Sequence, residues 1–512
     1  MASLSLVSGD KQKKARKRDK KRSVAGVLAL VFVGWFFLQW FLVGTVDQQQ
    51  KRNKVPDTPR DLKAETTSTS TRKVPSSADD TTDFHIVFST DCSGYQHWQG
   101  ILLYYSAVRV SQPGTITRIA SGCTPEQQQA IAAEWSRLDP TGKRFQVHFA
   151  PSTALEHEKY KYSNKPGGIL HWLQHHSKLD RNAVVCLLDP DMILLKPLTA
   201  QLVDPSWKTR AHGRNQVEYF NPTTGMAQLL RVKSLANDDN MPARVTTGFP
   251  AGQHFGIGGA WVQGESPSAK PAWKNFSKAY VCGNGRVCTT TSSAEASQRY
   301  AVGPVYMATV ADWEPIAATW WEFVPRVHEQ YPFLLAEMYS LTMAVANLQI
   351  PFSLFSSYMV TGADVGSPTE AWSWIDDIFA KNNNKDPLQV VCPDIVDKDQ
   401  PPPLPLPTAN NMPLPKTLHY CQRYKMDFDD NSNNNKQSFL FSKRKMPHTV
   451  FSCDNNDAPV PFDMQELIRL AKDKQQQSSE WTTIEKRTLF AFCQLVPLLD
   501  WARKMYREQV CV

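Results

Sequence analysis

Apolar and polar positions follow two rhythms between Phe84 and Leu198. The runs Phe84 to Thr90 (FHIVFST), Thr115 to Ala120 (TITRIA), Phe145 to Ala150 (FQVHFA) and Ala183 to Leu188 (AVVCLL) are short, mostly apolar and bounded by turn residues, which predicts strands. Between them the apolar residues recur at helical spacing. Tyr95 to Val110 places Trp98, Ile101, Leu102, Tyr105 and Val108 on one face. Pro125 to Leu138 follows Thr124, a suitable N-cap, and carries Pro in its first turn. Asn164-Lys165-Pro166-Gly167-Gly168 leads into a short helix, Ile169 to His176. Strand and helix therefore alternate four strands deep. Such alternation predicts an α/β fold with a parallel sheet covered by helices on both faces and ligands beyond the carboxyl ends of the strands. Further along, Gly303 to Ala308 reads as a strand, and Asp312 to Val327 and Phe333 to Leu348 read as helices. Pro401 to Pro407 (PPPLPLP) predicts an extended loop, and Ile484 to Glu508 a helix bent near Pro497.

One strand ends in charge. Ala183 to Leu198 reads AVVCLLDPDMILLKPL, an apolar run broken at once by Asp189-Pro190-Asp191. Continuous apolar runs belong to strands buried on both faces, where carboxylates do not. Residues i and i+2 of extended chain point to one side, so Asp189 and Asp191 can converge on one cation, with Pro190 stiffening the geometry. Hard oxygen ligands held this way suit Mg²⁺ or Mn²⁺. The plainer reading is a strand closed by an Asp-Pro turn. Gly252 to Trp261 (GQHFGIGGAW) is Gly-rich, but no strand, G-x-G-x-x-G and helix occur in succession, so a dinucleotide fingerprint is not indicated.

Charge changes the picture at the amino-terminal end. Lys11 to Arg22 holds nine Lys or Arg and one Asp, which supplies most of the formal net charge of +8. The remaining body is nearly neutral, so a nucleic-acid surface is not implied. Ser23 to Val46 follows, 24 residues without a charge, and at about 1.5 Å per residue that reaches across a hydrocarbon core of roughly 30 Å. Residues 1–22 are thus expected to be a cytosolic tail and 23–46 a transmembrane helix, with everything after Asp47 on the lumenal side. Residues 47–82, rich in Gln, Lys, Thr, Ser, Asp and Pro, are expected to be a flexible stem. The folded body then occupies 83–460 and a helical extension 461–512. Ten cysteines include no C-x-x-C pair; in a lumenal body several are expected to be disulfides, with the pairing unreadable from sequence.

From Phe84 to Asp454 the chain resembles a known family. HIVFSTDCSGYQHWQ (His85 to Gln99), QPGTITR (Gln112 to Arg118), NKPGGILHWLQH (Asn164 to His175), LLDPDMILLKPL (Leu187 to Leu198), GPVYMA (Gly303 to Ala308), EMYS (Glu337 to Ser340), LHYCQRY (Leu418 to Tyr424) and FSCD (Phe451 to Asp454) occur in that order. Together they resemble the plant and algal glycosyltransferases of hydroxyproline-rich proteins, namely the peptidyl serine α-galactosyltransferases and the related hydroxyproline O-arabinosyltransferases. The Cys-x-x-Tyr-x-x-Trp-Gln spacing at Cys92 to Gln99 is closer to the serine branch. The chain departs from the pattern at Ser340 and Leu341, where the family usually has Gly-Tyr, and from Gln201 to Tyr300.

The resemblance implies a GT-A (Rossmann-like) domain and a divalent cation, Mn²⁺ or Mg²⁺. It implies a UDP-sugar donor, UDP-galactose or UDP-arabinofuranose, and secreted acceptors rich in Ser and hydroxyproline. A single-span membrane protein of the Golgi or endoplasmic reticulum follows from it and from the predicted span. Asp189, Asp191 and His419 would then hold the metal. Asn164 and Lys165 would touch the diphosphate or sugar, and Ser89 and Thr90 the uridine. Glu337 would act near the anomeric carbon, by stabilising positive charge, holding the acceptor hydroxyl or bonding covalently. A catalytically silent carbohydrate-binding relative is the reading from another class; loss of the two metal carboxylates would favour it, and both are present. His171 and His175 fit either a zinc pair or a solvated helix face. Trp313, Trp320, Trp321, Trp372 and Trp374 fit either sugar stacking or a core.

Overall fold

The computed structural model describes residues 83–511 except 154–159, 177–178, 203–207, 212–216, 221–226, 231–243, 266–269, 367–369, 383–385, 393–400, 403–413, 431–434, 454–462 and 477–479. The basic tail, the predicted span, the stem and most of the Pro-rich loop lie outside the described residues. Among those described, no helix is long and apolar enough to cross a membrane.

The elements run β1 (Phe84–Thr90), α1 (Gly94–Arg109), β2 (Thr115–Ser121), α2 (Pro125–Leu138), β3 (Phe145–Ala150), α3 (Asn164–His175), β4 (Val184–Leu188) and β5 (Met192–Leu194). A three-stranded antiparallel meander follows, β6 (Lys208–Ala211), β7 (Val217–Phe220) and β8 (Ala227–Leu230). Then come β9 (Ala251–His254), the short helices α4 (Lys278–Cys282) and α5 (Ser293–Arg299), β10 (Val302–Thr309), α6 (Val310–Gln330) and α7 (Ala336–Asn347). The last part holds β11 (Ser353–Phe355), β12 (Met359–Val360), α8 (Trp372–Lys381), α9 (Pro387–Val391), β13 (Thr417–His419), β14 (Tyr424–Asp430), β15 (Asn435–Phe441), α10 (Met464–Gln476) and α11 (Thr483–Val510).

Seven strands form the main sheet in the order β11-β9-β10-β4-β1-β2-β3. The four strands that alternate with helices, β3, β2, β1 and β4, are parallel, as their spacing predicts. The other half is mixed. β10 runs antiparallel to β4 and to β9, while β11 is parallel to β9. An all-parallel sheet is therefore corrected to a mixed one: between β5 and β10 come the meander, β9 and two short helices rather than a single crossover helix, and nothing local sets the direction of β10.

Alternate residues of the central strands feed two cores. Ile86, Phe88, Cys186 and Leu188 pack with Trp98 and Leu102 of α1 and with Leu495 and Leu499 of α11. Val87, Val185 and Leu187 face the opposite way, onto Ile169 and Trp172 of α3, Trp313, Ile316 and Trp320 of α6, and Leu341 of α7. Trp313, Trp320 and Trp372 are fully buried, with Trp313 Nε1 donating to the Val185 carbonyl at 2.9 Å. These three are core residues. The carboxyl-terminal helix α11 opens on a capping box at Thr482 and Glu485, continues through Pro497, and shares the first core. Four disulfides are present: Cys92–Cys123, Cys282–Cys288, Cys392–Cys493 and Cys453–Cys511. The last two fasten α11, while Cys186 and Cys421 are free thiols.

Candidate active site at the end of the fourth strand

The site is assembled where β4 stops. β4 delivers Asp189 at its carboxyl end, and Asp191 follows just before β5. β13 pairs antiparallel with β5 so that His419 stands opposite Met192, and Tyr420 N donates to the Asp191 carbonyl at 3.0 Å. His419 Nε2 thereby lies 3.1 Å from Asp191 Oδ1 and 3.8 Å from Asp189 Oδ2. The three side chains offer ligand atoms within 4.8 Å of one another. Two carboxylate oxygens and an imidazole nitrogen fit a hard to borderline divalent cation such as Mn²⁺. These are the two carboxylates singled out by the apolar run and the histidine that the resemblance implies.

Lys165 and Glu337 complete one flank. The α3 helix begins at Asn164, earlier than its apolar pattern suggests, so Lys165 sits in the first turn. That start requires close contact with the sheet: a Cβ on Gly168 would stand 2.9 Å from Ile119 Cγ2, and one on Gly167 would stand 2.4 Å from Thr153 Oγ1. Lys165 Nζ reaches Asp189 Oδ1 at 2.7 Å and Glu337 Oε1 at 3.2 Å. Glu337, in the first turn of α7, is anchored through its backbone: its N–H donates to Tyr160 Oη at 2.7 Å and its carbonyl accepts from Trp320 Nε1 at 2.8 Å. Burial pushes the Glu337 carboxyl up to about 7; Lys165 opposes that and Asp189 adds to it. Lys165 itself is held charged, because Asp189 and Glu337 outweigh the burial that would discharge it.

The opposite flank carries a cation that the sequence does not signal. Lys443, just after β15, forms an ion pair with Asp191 Oδ2. Burial raises the Asp191 carboxyl, but His419 and Lys443 outweigh it and hold the group well below the usual carboxylate range. A divalent cation entering between Asp189, Asp191 and His419 competes with Lys443 for one carboxylate. Lys443→Met is therefore expected to tighten Mn²⁺ binding several-fold by titration calorimetry; unchanged affinity would mean that the lysine offers no competition.

The remaining expected residues are placed as follows. Ser89 Oγ donates to the Asn164 carbonyl at 3.4 Å, and Thr90 Oγ1 accepts from Arg118 Nε at 2.8 Å. Asn164 Oδ1 accepts from Thr153 N at 2.8 Å and from Thr153 Oγ1 at 3.1 Å, which ties the loop after β3 to α3. Ser89 and Thr90 therefore lie at the carboxyl end of β1 and Asn164 between the ends of β1 and β3, each holding its own loop together. His171 and His175 stack on each other at 3.9 Å, and His148 Nε2 approaches His171 Nδ1 at 2.8 Å. Among the described residues the only group of three or more His, Cys, Asp or Glu side chains with ligand atoms close enough to share one ion is Asp189, Asp191 and His419.

No family model matches the chain. Over 118 residues it is 39% identical to a peptidyl serine alpha-galactosyltransferase of Arabidopsis thaliana, covering 22% of this chain and 13% of that protein. Over 131 residues it is 27% identical to the protein of the same name from Chlamydomonas reinhardtii, covering 24% of this chain and 16% of that protein. The matched segments thus span less than one fifth of the length of these relatives. Among solved structures, the galactosyltransferase LgtC with donor and acceptor sugar analogues aligns at 11% identity over 66% of this chain and 87% of that one, with a TM-score of 0.31. The bifunctional glycosyltransferase WbbM aligns at 12% identity over 68% of this chain and 47% of that one, with a TM-score of 0.32.

Proposed function

We propose that this protein is a GT-A-type glycosyltransferase that moves galactose from UDP-galactose to serine in secreted, hydroxyproline-rich polypeptides. One observation carries the reading: Asp189, Asp191, His419, Lys165 and Glu337, distant in sequence, converge at the carboxyl end of a buried strand. The names of the two curated relatives and the closer match of the Cys92 to Gln99 spacing support galactose and serine. Transfer of arabinofuranose to hydroxyproline is the competing assignment within the same chemistry.

A divalent cation at Asp189, Asp191 and His419 would supply charge neutralisation for a leaving diphosphate. The protein's own groups account for the rest. Lys165 holds Asp189 and Glu337 in fixed relation, so the carboxylate of Glu337 is presented without reorganisation. Ionised, Glu337 stabilises positive charge that develops on the sugar ring as its bond to the diphosphate loosens. Its burial makes that interaction stronger than it would be in water. Ser89 and Thr90, at the end of β1, would contact the nucleoside.

Membrane anchorage in the Golgi or endoplasmic reticulum belongs to the same proposal. The uncharged run from Ser23 to Val46 behind a basic segment supports it, and four disulfides suit an oxidising lumen. Incubating the full chain with UDP-galactose or UDP-arabinofuranose and synthetic peptides tests the assignment by mass spectrometry. A hexose on serine is expected. A pentose on hydroxyproline would replace the galactose assignment, and modification of neither peptide would remove the protein-acceptor reading.

A further inference from the structure

Tyr306 is a fully buried residue of β10 that the roles described so far leave unused. It pairs with Leu187, two residues ahead of Asp189 on the neighbouring strand. Its ring belongs to the core beneath α3 and α7 and lies 6.5 Å from Trp320, the residue whose indole N–H holds the Glu337 carbonyl. The charged groups that act on its hydroxyl are Lys165, Glu337 and Asp189. Tyr306 therefore stands on the Lys165–Glu337 flank of the site.

Its hydroxyl has no hydrogen-bond partner among the described residues. Leaving such a group unpaired carries a desolvation penalty, and buried tyrosines usually find a partner. A phenylalanine would fill the same space without that penalty. Burial raises the phenol far above its ordinary range, against the opposing charge of Lys165, so the group is a neutral O–H able to donate and accept.

We propose that the Tyr306 hydroxyl is a specificity contact for the donor, hydrogen-bonding a hydroxyl of the transferred sugar. The inference rests on the donor reading above. A sugar is the chemistry that fits, because a ring hydroxyl can both accept from and donate to a neutral phenol, and Glu337 beside it is assigned to the sugar. The diphosphate falls instead to the Asp189, Asp191 and His419 side. A site built to hydrogen-bond a substrate hydroxyl also discriminates against donors lacking it.

Tyr306→Phe in the full chain tests this. Binding of UDP and of UDP-galactose is measured by calorimetry with Mn²⁺ present, together with thermal melting. Loss of one neutral hydrogen bond is expected to weaken UDP-galactose by about tenfold, leave UDP unchanged, and keep the melting temperature equal or raise it. A fall in melting temperature would mean the hydroxyl has a structural partner and overturns the proposal. Equal weakening of UDP and UDP-galactose, or no weakening of either, also overturns it. If the unsubstituted protein binds UDP-galactose no better than UDP and turns over no UDP-sugar, the donor reading itself fails and the contact falls with it.

Discussion

Replacing Asp191 by asparagine is expected to abolish detectable Mn²⁺ binding and to lower turnover by roughly 10² to 10³-fold, the range for loss of one preorganised electrostatic group. Asp191 is the focus of the charges here. Its carboxylate meets His419 on one oxygen and Lys443 on the other, with a side chain only 8% exposed. Asparagine keeps the shape and one acceptor oxygen, so the fold should survive. Alanine should not be as gentle. Both variants remove the counter-charge of His419 and Lys443, but Asp191→Ala also removes the remaining acceptor oxygen and the side-chain volume, and breaking a buried pair with nothing in its place destabilises by about 3 to 5 kcal/mol. Comparing the two variants separates lost chemistry from lost folding. An Asp191→Asn protein that binds Mn²⁺ as the parent does would remove Asp191 from the metal set.

Glu337→Gln should be inactive and yet more stable near neutral pH. The carboxyl is raised from 4.5 to about 7, first by burial, with Lys165 opposing and Asp189 adding. A folded-state value above the unfolded one contributes stability that is fully present below pH 4.5 and is lost as pH rises through about 7. Glutamine mimics the protonated form at every pH. Melting curves should therefore coincide near pH 4.5, diverge through the window to about 7, and stay apart above it, with the variant melting higher. Turnover should move oppositely. An ionised Glu337 is required for charge stabilisation, so activity in the parent should climb through the same window, and the variant should lose roughly 10² to 10³-fold. A variant that melts lower than the parent at pH 8 would mean that the Lys165 ion pair outweighs the burial of Glu337.

How far the sequence foretold this arrangement differed from one residue to the next, for physical reasons. Asp189 and Asp191 stood out because carboxylates at the end of an apolar run have few structural explanations, and β4 does end there. The four parallel strands were legible from alternation, since a helix with its own period separates each from the next. β10 was legible as a strand, but its direction depends on how the intervening chain returns to the sheet, which no local pattern records. His419 had no signal of its own. It joins the site through pairing of β13 with β5, a contact between segments more than two hundred residues apart, and only the resemblance of LHYCQRY pointed to it. Lys443 was missed because it stands in Lys443-Arg444-Lys445, which reads as a solvated basic turn; burial of one of the three against Asp191 is a tertiary fact. Tyr306 was read simply as part of a strand, because an orphaned hydroxyl becomes visible only when its surroundings are known. The disulfide pairing likewise depends on where α11 docks.

The most direct test of a metal-dependent sugar transferase is UDP release by the purified full chain from UDP-galactose and UDP-arabinofuranose, with Mn²⁺ or with a chelator. Turnover of one donor, lost on chelation and lost in Asp191→Asn, is the predicted result. A folded protein that binds and turns over neither donor would contradict it in favour of a silent carbohydrate-binding relative, and turnover indifferent to the chelator would contradict the role given to Asp189, Asp191 and His419.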